Sequence, residues 1–297
     1  MLSINRMDEY ITGERFSELA DFSIADMGVV NKCRDDLCKY KIPRNGKITK
    51  DVLEKIQISK IFFIQPNSLA YFANSVLPNI NHNFILITHN SSYTVGLMSN
   101  SIDSLEEIKV ASAKIINNKN LIKWFGINMV PNNKCQGILD GLPNTHLLPK
   151  IKHKILEDNK LNLKINLIYI NFSKNTHNSR KAVMDKLINN GFKTNNNKEW
   201  SKFIEELSTY KFCCCPRGKG VDTHRMYEAL CLNVIPIVEL NDIIYNYFND
   251  LPILWVDDWS IINTEYLNTK YEEMKTKKYN TDKLNFSYWK DMILNTI

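Results

Sequence analysis

The residues best suited to chemistry fall in one run, Cys213-Cys214-Cys215-Pro216-Arg217-Gly218-Lys219-Gly220-Val221-Asp222-Thr223-His224-Arg225, followed three positions later by Glu228. An apolar stretch ending in Cys-Pro reads as a strand, the glycines as a turn, and Asp222, or alternatively Thr223, as the N-cap of a helix. A strand, a tight turn and a helix start together present backbone N–H groups and a positive dipole end, the makings of an anion site. Gly218 and Gly220 are expected to let the backbone approach a ligand and to take positive φ. Arg225 lies in the first helical turn, where a cation opposes the dipole; a bound anion would remove that conflict. Arg217 is a second cation beside the turn. Arg225 and Glu228 are three apart and share a helix side, so an exposed ion pair is the competing reading. The turn is neither a Walker loop nor a G-x-G-x-x-G fingerprint.

The three adjacent cysteines suggest metal or redox chemistry, and their spacing argues against both. Neighbouring strand residues point to opposite faces, so Cys213 and Cys215 can converge but Cys214 cannot join them. Cys33 and Cys38 have no histidine nearby, and no C-x-x-C pair occurs. The thiols read as small buried packing residues. Seven cysteines in a chain that opens without a leader-like segment are expected to be reduced.

What must position this run is an α/β framework. The chain has 297 residues, 44% of them hydrophobic and 24% charged, enough for two domains with a core each. Its net charge of +6 comes without a dense basic block, which argues against a nucleic-acid surface and fits small anionic ligands. No apolar run reaches the roughly 20 residues of a spanning helix, so no integral membrane span is expected, and the location is expected to be cytoplasmic. "KIFFIQ" (60–65) and "FILIT" (84–88) read as strands buried on both faces, "SLAYFANSVL" (68–77) and "SLEEIKVASAKII" (104–116, capped by Ser104) as helices, and "KWFGINM" (123–129) as a strand. "GILDGLPNTHLLPK" (137–150) reads as a loop. The pattern restarts with "KINLIYINF" (164–172) as a strand, "SRKAVMDKLINNG" (179–191) and "EWSKFIEELSTY" (199–210) as helices, then "KFCCCP", "DTHRMYEALCLN" and "VIPIVE" as strand, helix and strand. Strands alternating with helices predict parallel sheets.

The stretch "FCCCPRGKGVDTHRMYEALCLNVIPIV" (212–238) resembles the C-terminal motif of exostosin-like glycosyltransferases, in which a strand ending in Pro-x-Gly leads to a helix with Arg and Glu-Ala and then to a strand containing Ile-Pro. The relatives it most resembles are short soluble sequences of large DNA viruses and protists, which would place a viral chain in host cytoplasm. The likeness is looser over "YINFSKNTHNSRKAV" (169–183) and "LITHNSSY" (86–93). It implies a GT-B architecture, two Rossmann-like domains facing across a cleft: an acceptor-side domain over 1–155, a nucleotide-sugar-binding domain over 156–280, and a C-terminal helix, 281–297, packing back on the first. It further implies that Gly218, Gly220 and Arg225 hold the donor diphosphate, with Arg217 as a second phosphate contact and Arg180 as a further one, and that Glu228 accepts from ribose hydroxyls. Where the family commonly has Gly-Cys before Ile-Pro this chain has Asn233-Val234. Asparagine tolerates the left-handed conformation, so the turn is expected to survive.

The implied reaction is transfer of a sugar from a nucleotide-sugar donor, taken to be a UDP-sugar, to a hydroxyl of a glycan or glycoprotein acceptor. Inversion would need a base on the acceptor side. His89, just past a strand end, and Asp140 are the foremost candidates, followed by His146 and Asp103; a histidine bonded to a loop carbonyl is the structural alternative for His89. A retaining route would use no discrete base. No D-x-D triplet occurs, so no metal or other cofactor is expected and cationic side chains would stabilise the leaving group. A GT-B-like module that binds a glycan or a partner without turnover is the alternative.

Overall fold

The computed structural model describes residues 10–25, 40–43, 45–97, 105–144 and 150–296. Their contacts divide them into two compact units, one holding residues 11–140, 242–247 and those from Phe286 on, the other Tyr10 and residues 141–241 and 248–285. Both are α/β with wholly parallel sheets, the class expected from the alternating pattern.

In the N-terminal unit six strands, β1 (Phe22–Ala25), β2 (Tyr40–Pro43), β3 (Ile61–Ile64), β4 (Phe84–Thr88), β5 (Leu121–Gly126) and β6 (Cys135–Gly137), run in the order β2-β1-β3-β4-β5-β6. The chain moves outward from β1 to β2 and then returns past β1 to β3, which creates a topological switch point between β1 and β3. Helices α1 (Gly13–Glu18), α2 (Lys50–Ile58) and α3 (Glu106–Ile116) belong to this unit. Every residue of β3 and β4 is buried, and Phe62 meets Phe84 edge-on at 5.8 Å between ring centroids. This is how near-continuous apolar runs behave when helices cover both faces of a sheet.

"SLAYFANSVL" departs from the expected helix. It is broken into a 3-10 turn at Pro66–Ser68, a short α segment at Leu69–Tyr71, a π-turn at Phe72–Val76 and a second 3-10 turn at Leu77–Asn79. A proline sits in each 3-10 turn, and proline cannot donate to a regular i−4 ladder. The strand expected over 123–129 lies at Leu121–Gly126 instead, and Asn128 beyond it is left-handed at φ 47°. Strands β1, β2 and β6 do not stand out in the sequence, because each is only three or four residues long and is interrupted by a polar residue, Ser23, Lys41 and Gln136. Ser104, Cys33 and Cys38 lie outside the described residues.

In the C-terminal unit β7 (Asn166–Tyr169), β8 (Tyr210–Cys214), β9 (Ile235–Glu239) and β10 (Leu254–Val256) form a parallel sheet in the order β10-β9-β8-β7. Helices α4 (Lys150–Asn159), α5 (Ser179–Asn189), α6 (Trp200–Leu207) and α7 (His224–Cys231) lie between or before these strands. Helix α8 (Asp242–Phe248) follows β9, and α9 (Thr264–Lys275) and α10 (Phe286–Leu294) complete the chain. Residues 242–247 and α10 cluster with the N-terminal unit, where Phe286 meets Phe16 edge-on at 5.3 Å.

Helices α5 and α7 end alike. Gly191 at φ 86° and Asn233 at φ 57° each occupy the left-handed position of a Schellman motif, closed by Phe192 N–H to Leu187 O and by Val234 N–H to Ala229 O. Cys213, Cys214 and Cys215 are free thiols enclosed around the carboxyl end of β8, and burial pushes the Cys214 and Cys215 thiols well above their ordinary range. Cys214 packs with Phe212, Ile168 and Ile235 as core. Among the described residues no helix is long and apolar enough to cross a membrane.

Candidate anion site at the carboxyl ends of two parallel strands

β7 and β8 are neighbours, so the segments leaving their carboxyl ends, residues 170–178 and 215–223, emerge side by side. Two arginines tie these segments together. Arg180, in the first turn of α5, donates from Nε to Arg217 O at 2.7 Å, from Nη2 to Pro216 O at 2.9 Å and from Nη1 to Ser173 O at 3.0 Å. All three of its nitrogens are thus directed at main-chain carbonyls of the two segments. It is not the solvated surface residue that an arginine in a polar loop suggests.

Arg225, in the first turn of α7, donates from Nη1 to Asn171 O at 2.8 Å and from Nε to Glu228 Oε2 at 3.2 Å. Its guanidinium lies over the Phe203 ring, 4.2 Å from the centroid, a cation–π contact. Glu228, with a side chain 7% exposed, also accepts from the Trp200 indole N–H at 3.0 Å. The pair is therefore embedded rather than exposed, and it is fixed by two residues of α6. Burial opposes the charge on Arg225, but the neighbouring Cys213 and Glu228 favour it, and the net displacement of its pKa is upward. For Arg180 burial and then the charge of Arg225 act in the same direction and hold its pKa below the ordinary value. Two guanidiniums of one sign close enough to perturb each other make a positive field that an anion would relieve.

Thr223, not Asp222, caps α7: its hydroxyl accepts from Met226 N–H at 3.4 Å while Asp222 is buried one position earlier. Neither Gly218 nor Gly220 has the positive φ expected of it. The turn is closed instead by a hydrogen bond from Gly218 N–H to Gly220 O at 3.0 Å and by the carbonyl contacts of Arg180, so left-handed backbone is not required. A methyl group at Gly218 would stand 3.4 Å from Arg180 Nη2. Arg217 is half-buried, with Nη2 directed at Lys219 O of its own turn at 3.5 Å. His177 Nδ1 is bonded to Ser179 Oγ, at the start of α5, at 2.7 Å.

The residues proposed for proton abstraction lie in the N-terminal unit. His89 follows β4 as expected but is 1% exposed: Nε2 donates to Leu139 O at 3.3 Å and Nδ1 accepts from Asn90 N–H at 2.8 Å. A Cβ on Gly13 would fall 2.7 Å from that Nδ1 and 1.8 Å from Asn90 Oδ1, so α1 closes directly over this corner. Asp140, by contrast, is half-buried. Asp103 and His146 lie outside the described residues.

Three contributors escaped sequence reasoning: the Phe203 ring, the Trp200 indole and the Asn171 carbonyl. Trp200 and Phe203 stand three apart on a strongly amphipathic helix, a spacing that reads as ordinary core facing. A carbonyl has no sequence signal at all.

No protein-family model matches the chain, and no curated protein matches it. Among solved structures it is similar to an alpha,alpha-trehalose 6-phosphate synthase from Burkholderia multivorans, at 10% sequence identity and a TM-score of 0.40, over 91% of this chain and 78% of that one.

Proposed function

We propose that the chain is a nucleotide-sugar-dependent glycosyltransferase of the exostosin-like type, built as a GT-B enzyme and using a UDP-sugar as donor. The observation that carries this reading is the pair of like-charged arginines at the carboxyl ends of β7 and β8, beside the N-terminus of α7. In glycosyl transfer the departing diphosphate gains negative charge as the glycosidic bond breaks, and preorganised cations and N–H groups stabilise that change most. Arg225 is the residue assigned to it: Nε and Nη1 hold the guanidinium in place while Nη2 makes neither of those bonds. Gly218 and Gly220 bring main chain to the phosphates, Arg217 adds charge at the rim, and Arg180 holds the turn.

Glu228 is assigned to the ribose hydroxyls, since a carboxylate has about four acceptor sites and Arg225 and Trp200 use one on each oxygen. With no D-x-D pair, the diphosphate is neutralised by the arginines without a metal. The acceptor, a glycan or protein hydroxyl, loses its proton to a base for which half-buried Asp140 is favoured over enclosed His89. That enclosure supports a second reading, a donor-binding module without turnover. Incubation of the purified chain with UDP-sugars separates the two: slow hydrolysis to UDP supports the enzyme, whereas tight binding with the donor intact supports the module.

A further inference from the structure

We infer that Trp200 is a positioning residue for the anion site, acting on Arg225 through Glu228; this rests on the donor-binding reading above and adds a residue to it. The indole N–H of Trp200 donates to Glu228 Oε1 at 3.0 Å, and the other oxygen of the same carboxylate accepts from Arg225 Nε at 3.2 Å. One turn along α6, Phe203 supplies the face on which the Arg225 guanidinium lies. A carboxylate with a 7% exposed side chain has little access to water, so its orientation is set by protein donors, and the indole is the donor that does not move with the ligand-binding arginine. Without it, Glu228 is free to rotate toward Arg225 as a two-oxygen acceptor. That rotation would draw the guanidinium toward the carboxylate and away from an incoming phosphate.

The link runs both ways. An anion that engages Arg225 must alter the pull on Glu228, and hence the environment of the Trp200 indole proton. Arg180 takes no part in this relay, because its three nitrogens are held by carbonyls of Ser173, Pro216 and Arg217. Trp200 therefore sets the affinity for the charged part of the ligand and not the integrity of the turn.

The test uses the full chain with pyrophosphate and UDP as probes. Trp200→Phe keeps an aromatic ring on the helix but removes the indole N–H together with part of the ring; it should weaken pyrophosphate about five- to tenfold, less than the full worth of a hydrogen bond to a charged group because the indole acts on the ligand only through Glu228. In a Glu228→Gln background the same change should alter affinity less than twofold, because a neutral amide, even while it accepts from the indole, cannot turn two charged oxygens on Arg225. A folded Trp200→Phe protein that binds both probes like wild type, or equal effects in the two backgrounds, overturns the inference and leaves the donor site standing. If wild type binds neither probe, the donor reading fails and takes the inference with it. Should Trp200→Phe not fold, the wild-type spectrum of the five tryptophan indole N–H groups decides. The Trp200 signal must move on adding pyrophosphate and must move without ligand in Glu228→Gln. A signal that stays in place in both experiments overturns the relay.

Discussion

Arg225 lies over the ring of Phe203 with its guanidinium carbon 4.2 Å from the ring centroid, and from that seat it reaches a carbonyl of the β7 loop and a carboxylate of its own helix. A long cationic side chain would otherwise lose about 2 kcal/mol of rotamer entropy on meeting a ligand. Here that freedom is already removed in the free protein, by aromatic packing beneath and hydrogen bonds at two nitrogens.

Arg225→Ala should therefore reduce turnover about a hundredfold, on the order of 2.7 kcal/mol of leaving-group stabilisation. The thermal midpoint should fall as well, since the change leaves the enclosed Glu228 carboxylate without its cation, but the variant should remain folded at the assay temperature. Steady-state kinetics on a UDP-sugar donor beside a melting curve checks both halves. A large drop in melting temperature with unchanged kcat would assign Arg225 to structure alone.

Arg180 should behave differently. Its removal frees three main-chain carbonyls on two loops, so Arg180→Gln should loosen the turn and accelerate hydrogen exchange over residues 217–220 in the ligand-free protein. Arg225→Ala should leave exchange there near wild type. Equal protection of the turn in wild type and Arg180→Gln would show that the arginine serves the ligand directly.

The cysteines supply a control. Cys214→Ser places a hydroxyl among Phe212, Ile168 and Ile235 and should destabilise the fold by roughly 1–3 kcal/mol without altering donor affinity. Urea denaturation and nucleotide titration on the same sample separate the two effects. Lost affinity in a folded Cys214→Ser protein would restore a functional role for the thiol run.

Much of this site was legible in the sequence because its carriers are local. The strand, turn and helix from Phe212 to Val238 occupy consecutive residues, and the left-handed cap at Asn233 follows from asparagine's tolerance of that conformation. The turn chemistry was less legible: the glycines suggested positive φ, but a donor 38 residues upstream of Gly218, Arg180, holds the turn by its carbonyls. Long-range hydrogen bonds of this kind leave no periodicity. Trp200 and Phe203 were hidden for the opposite reason, because their spacing fits a core-facing helix so well that nothing marked them as part of a site. The enclosure of His89 depends on a glycine 76 positions earlier, Gly13, whose missing side chain lets α1 approach.

A pH-dependent contribution to stability is built in at Lys164, whose ammonium donates to Ser208 O and, at 2.8 Å, to Leu232 O, the carboxyl-terminal caps of α6 and α7. Burial lowers its pKa from 10.5 to about 8. Between about 8 and 10.5 the unfolded chain holds a proton there that the folded chain has lost, so stability should rise with pH across that window and be flat in this respect below it. Urea midpoints of wild type and Lys164→Met from pH 7 to 10.5 measure it. The wild type should gain on the variant as pH rises, and a difference independent of pH would show that the ammonium is not desolvated as its burial implies.

The most direct measurement of the central claim is a calorimetric titration of UDP into wild type and Arg225→Ala, both in excess EDTA. A seat for a diphosphate formed by arginines and main chain predicts one site in the wild type, unaffected by chelation, and affinity at least tenfold weaker in the variant, since a charge-assisted hydrogen bond is worth about 1.5–3 kcal/mol. No heat in wild type, binding that appears only when Mn²⁺ is restored, or equal affinity in the two proteins would contradict it.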